Sequence, residues 1–206
     1  MRKYLFSDLS MDWRLVTTIF VTTLVIVIDH YHAVLADKWM DHTLLYLIIP
    51  LLLVVVIFRQ PLSMYGFQIG DWKAGLIFTI GGWILMTVVM YFVARTPDFR
   101  AYYAGNRETI FQLIATNAAD LFGWEFVFRG LLVFALFPVC GPYAIILQAV
   151  PFTIAHFGKP ELETISCIFG GTVLVYIAWR TKSFYYPFLI HWYLTTITIL
   201  FAQFLA

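Results

Sequence analysis

Gly123-Trp124-Glu125-Phe126-Val127-Phe128-Arg129-Gly130 runs without interruption into Leu131-Leu132-Val133-Phe134-Ala135-Leu136-Phe137. The stretch sets a carboxylate and a guanidinium inside a sequence otherwise apolar enough to be a membrane helix. An ionised side chain facing hydrocarbon costs several kcal/mol, so both groups must turn to a protein interior and find partners there. A spacing of four residues puts them about one helical turn apart on the same side, which favours a charge-assisted pair. An ion pair at that place requires a bundle of helices around it.

The rest of the chain supplies the bundle. Of its 206 residues, 62% are hydrophobic and 12% charged, against about 25% charged in an ordinary soluble domain, and the mean hydropathy is +0.84. A helix needs roughly 20 apolar residues to cross the hydrocarbon core. Runs of that kind fall at about 14–35, 43–58, 74–95, 108–137, 140–157, 163–180 and 184–205. The expected fold is therefore all-α, a polytopic membrane helical bundle of seven to eight transmembrane helices, the eighth if the long fourth run breaks. Residues 1–206 read as one integral membrane domain without repeat or low-complexity tract.

Arg59 to Trp72, with Pro61, Gly66, Gly70 and Asp71, reads as an interfacial linker, and Thr96 to Arg107 is the most polar connection. Gly and Pro close helices at 138–142 and 158–160. Arg2 and Lys3 ahead of an apolar run raise the reading of a signal peptide with Val34-Leu35-Ala36 as its cleavage site. Asp8, Asp12 and Arg14 interrupt the early region, so a retained first helix is expected. A formal net charge of +1 without a basic stripe gives no sign of nucleic acid. Lys and Arg are nearly balanced between the two sides, and favour a cytoplasmic N-terminus by a small excess. Cys140 and Cys167 lack metal-ligand spacing and read as packing residues.

Two imidazoles lie downstream in apolar runs, His156 in Val150-Pro151-Phe152-Thr153-Ile154-Ala155-His156 and His191 in Pro187-Phe188-Leu189-Ile190-His191. Glu125 with Arg129 alone fits a structural ion pair that fixes helix register. A buried carboxylate and two imidazoles on three helices also form a set able to activate water. The same Glu125, His156 and His191 make a two-His, one-Glu zinc set, although no H-E-x-x-H is present, and a metal-free site without cofactor is the preferred reading. Asp29, His30, His32 and His42 offer a second metal cluster, for which solvated residues at a helix end are the competing and preferred reading. Asn117, Asp120 and Trp124 share one face of the fourth helix.

These residues resemble the CAAX-protease and bacteriocin-processing (CPBP, or Abi) superfamily of intramembrane glutamate endopeptidases. The family's E-E-x-x-x-R motif is similar to Trp124-Glu125-Phe126-Val127-Phe128-Arg129, its F-x-x-x-H to Phe152-Thr153-Ile154-Ala155-His156, and its H-x-x-x-N to His191-Trp192-Tyr193-Leu194-Thr195. The resemblance covers about residues 60–205. It implies hydrolysis of a peptide bond in a membrane-associated peptide or protein within the lipid bilayer, here the bacterial inner membrane. It also implies site residues Glu125, Arg129, His156, His191 and Thr195.

Two positions depart from the pattern. The glutamate that in the family activates water is here Trp124, which takes no proton, and Thr195 stands for the asparagine. By position Glu125 is the partner of Arg129. Three accounts follow from the missing carboxylate: Glu125 serves as base with His156, Glu161 or Glu163 folds back into the site, or the chain is a pseudoprotease acting as a membrane scaffold or bacteriocin immunity factor. A transporter is disfavoured, because neither internal pseudo-symmetry nor paired broken helices are visible.

Overall fold

The computed structural model describes residues 11–204, so Arg2, Lys3 and Asp8 of the possible leader lie outside the described residues. Those residues form helices and turns with no strand among them. We number the helices α1 (Trp13–Tyr31), α2 (Lys38–Phe58), α3 (Trp72–Val93), α4 (Pro97–Tyr103), α5 (110–140), α6 (144–154), α7 (Glu161–Thr181) and α8 (Tyr185–Phe204).

Among the described residues, six helical segments are long and apolar enough to cross a membrane, with α5 and α6 joined in one run, Ile110–Ile154. The run turns at Gly141, whose φ of 55° ends α5. Seven apolar stretches were expected, and all seven are helical. The fifth differs in length: α6 covers 11 residues, about 17 Å at 1.5 Å per residue. That is well short of a hydrocarbon core of about 30 Å, so α6 ends, with His156 just beyond it, part-way through the bundle's thickness.

Helix α5 is the axis. Phe126 to Val133 are all buried, as expected of a helix hydrophobic on every side. Val25 of α1, Leu45 and Tyr46 of α2, Phe152 of α6 and Cys167 of α7 pack around its Trp124, Val127 and Phe128. Its start is fixed by a reciprocal cap, in which Thr109 accepts from the Gln112 amide N–H and Gln112 accepts from that of Thr109. Small residues set its depth. A Cβ on Gly123 would lie 3.0 Å from Leu47 Cβ, and one on Gly130 would lie 2.8 Å from the Tyr65 carbonyl oxygen, the close approach that small residues allow between membrane helices.

Helix α2 carries Pro50, which has no N–H to give, and relaxes into wide π-turns at Thr43–Ile48 and Leu53–Phe58 on either side of it. One end of the bundle is closed by the 59–71 linker against the α7–α8 turn. There Asp71 N–H donates to Thr181 O at 2.8 Å and Arg180 meets Asp71 at 2.8 Å. The Asp71 carboxyl lies below its ordinary value, through the Ala74 amide that donates to it and then Arg180. Gly70, at φ 58°, lies so close to Thr181 that a Cβ would strike its carbonyl.

At the other end, Tyr103 of α4 donates to Glu163 at 2.6 Å and Lys159 meets Glu163 at 2.9 Å. Burial works against the charged form of Lys159, but Glu163 outweighs it and holds the ammonium above its ordinary value. Burial and Glu163, countered by Lys159, raise the Tyr103 hydroxyl.

Candidate active site

Glu125 is the last residue of the first α-helical part of α5, and Phe126–Leu131, which includes Arg129, is a π-turn before the α-helix resumes at Leu132. A π-turn widens the helix and changes the direction of the residues beyond it, a distortion that recurs at functional sites. Here it lets Arg129 Nη1 lie 3.1 Å from Glu125 Oε1, with both side chains fully buried. The contact is an ion pair and not an aligned hydrogen bond: none of the three guanidinium nitrogens has a hydrogen-bonding partner. The guanidinium carbon instead lies 3.7 Å from the Phe152 ring centre, a cation–π contact whose value rises when water is excluded.

Glu125 Oε1 also accepts from His191 Nδ1 of α8 at 2.6 Å, while Oε2 has no partner. A carboxylate that accepts at Nδ1 fixes the tautomer of an imidazole and leaves Nε2 to face outward. His156 is held in the same way from its own chain. Its Nδ1 donates to the Phe152 carbonyl at 2.7 Å, and because a carbonyl can only accept, Nε2 carries the free lone pair of the neutral ring. The two imidazoles are nearly parallel, with ring centres 6.4 Å apart, and are 3% and 7% exposed. Gly171 makes room for this arrangement, since a Cβ there would lie 2.9 Å from the Phe152 ring.

Four of the five residues read from the sequence therefore converge: Glu125, Arg129, His156 and His191. The fifth, Thr195, is half-buried one turn beyond His191, and no side-chain hydrogen bond is made by it. The hydroxyl that reaches α5 from this turn is that of Thr196, which accepts from Asn117 at 3.3 Å. Glu163 does not fold back, because its two oxygens go to Lys159 and Tyr103, and Glu161 is exposed. Among the described residues no group of three or more His, Cys, Asp or Glu side chains is placed to hold a metal ion.

Trp124 occupies the position where the resemblance has a glutamate. Its indole is 6% exposed, with its ring centre 5.6 Å from that of His156 and 5.3 Å from that of His42. His42 corrects the expectation of a solvated helix end. His30 and His32 are exposed, but His42 is 3% exposed, with Nε2 3.0 Å from Asp29 Oδ1 and Nδ1 against Asp120. Tyr46 donates to the other Asp29 oxygen at 3.0 Å. The sequence held one sign of this cluster, acidic residues near the ends of two apolar helices, without saying which imidazole they share.

Comparison with known proteins agrees with the motifs. Residues 106–197 match the family model described as Type II CAAX prenyl endopeptidase Rce1-like, a protease family. The matched segment runs from the start of α5 into α8 and contains Glu125, Arg129, His156, His191 and Thr195. No curated protein and no solved structure matches the chain.

Proposed function

We propose, on the premise of this Rce1-like segment in a membrane-helix bundle, that the chain is an intramembrane endopeptidase. It hydrolyses a peptide bond of a membrane-associated substrate in the bacterial inner membrane, without a metal. The observation that carries the reading is the pair of buried imidazoles, each tied through Nδ1, beside a buried carboxylate with one oxygen unengaged. His156 Nε2 takes the proton of the attacking water, with the unengaged Glu125 Oε2 as the second acceptor of the set. Arg129, 3.1 Å away, keeps Glu125 oriented. His156 then gives that proton to the leaving amine, while His191 with the Thr195 hydroxyl faces the tetrahedral oxyanion.

The test is cleavage of a panel of membrane-anchored and free peptides by the purified chain in lipid nanodiscs. Turnover is expected from the wild type and is lost in Glu125→Gln and His156→Ala. Equal turnover by all three, or none by any, ends the assignment.

A second reading has its own observation. Trp124 fills, with a buried ring against His156, the place of the family's water-activating glutamate, which suits a pseudoprotease that acts as scaffold or immunity factor. On that reading the wild type is inert and Trp124→Glu gains cleavage. High native turnover removes it.

A further inference from the structure

A buried cluster outside the catalytic set remains to be explained. His42 of α2 lies between Asp29 of α1 and Asp120 of α5, so three helices meet at one ring. Each ring nitrogen lies against a carboxylate oxygen: Nε2 is hydrogen-bonded to Asp29, and Nδ1 is in close ionic contact with Asp120 without hydrogen-bond alignment. The two carboxylates are 20% and 25% exposed while His42 is 4% exposed at its side chain, so the ring is the sealed member. A buried imidazole held between two carboxylates has one fixed orientation.

That orientation is passed on. The His42 ring stacks on Trp124 at 5.3 Å with 24° between planes, and the same indole packs against His156 at 5.6 Å and 82°. Asp29 also borders a groove of about 420 Å³, whose opposite wall includes Ile154, Ala155 and Phe157, the neighbours of His156 in sequence. Asp29 and the residues that flank His156 thus line one groove.

We propose that Asp29, His42 and Asp120 are positioning residues that lock the Trp124 indole against His156 and so hold the His156 ring toward the reacting water. The proposal rests on the reading of His156 as base. In place of the family's glutamate, this chain puts an aromatic wall on a charged mount. The mount takes no part in proton transfer and acts only through Trp124.

The test uses the full chain in nanodiscs. His42→Phe keeps a ring beside Trp124 but removes both nitrogen contacts to the carboxylates, and Asp120→Asn removes one charge from the α5 side if the first variant does not fold. The emission of Trp124 is isolated by subtracting, for each protein, its Trp124→Phe counterpart. Both variants are expected to shift that emission to longer wavelength as the indole loosens. Both also lower kcat on the cleaved peptide by about 10²-fold, the penalty for a displacement of about 1 Å at a reacting group, with KM unchanged. Unchanged Trp124 emission, or a loss confined to KM, overturns the proposal. If the wild type cleaves nothing, the peptidase reading fails separately, and the emission shift alone decides whether the mount holds Trp124.

Discussion

Arg129 has five N–H donors and one acidic neighbour, Glu125, which it shares with His191. Removing one partner of a buried pair leaves an uncompensated charge, costing about 3–5 kcal/mol in measured cases. Arg129→Met is therefore expected to destabilise the chain by that order in reversible unfolding from detergent micelles. The double variant Arg129→Met, Glu125→Gln should recover a large part of the loss, because the isolated carboxylate is gone. Recovery of stability without recovery of cleavage separates the structural use of the pair from its chemical use.

At the scale of elements, the register of α5 depends on positions without side chains. Gly130→Val places new atoms against the Tyr65 carbonyl, which is backbone and cannot turn aside. An overpacking cost of about 1–3 kcal/mol is expected, read as a lower unfolding midpoint. Gly81, with open space around it, should accept alanine with no loss. Much of this level was legible in advance. The spacing of Glu125 and Arg129 gave their pairing, and the apolar runs gave the helices nearly to their ends, because hydrocarbon leaves an apolar segment few alternatives. The polar face of Asn117, Asp120 and Trp124 was also legible, but its partners were not. Asn117 meets Thr196 on α8 and Asp120 meets His42 on α2, and such choices depend on helix order in space, on which local periodicity is silent. The π-turns were equally hidden, since they answer to Pro50 and to packing around α5 and have no residue signature of their own. The shortness of α6 was hidden for a related reason: its apolar run continues past the point where the helix ends.

For the whole molecule, the two ends of the bundle are fastened differently and should fail differently. The Asp71–Arg180 contact at one end is exposed, and the Asp71 carboxyl is held below its ordinary value. A depressed folded value means that its contribution is present above the unfolded value, about 3.9, and is lost as pH falls through the folded one. The wild type should therefore unfold at a higher temperature than Asp71→Asn near pH 6. The two midpoints should converge as the pH is taken below about 4. At the other end, Lys159 is held above its ordinary value by Glu163, so its share persists below the unfolded value and fades only as pH rises through the folded one. Protonation of Asp71 thus loosens the linker end, and deprotonation of Lys159 in strong alkali the end that carries the groove.

The curtailed α6 gives the bundle a front and a back. Because α6 stops just before His156, and the groove at its end also touches Lys38, Tyr102 and Lys159 while the opposite end is stitched by Asp71, Arg180 and Thr181, the two ends offer an approaching polypeptide different surfaces. On the proposed function, a substrate is expected to enter from the groove side. Vesicles with the chain inserted in a single direction should consume a membrane-impermeant peptide offered from one compartment and ignore it from the other.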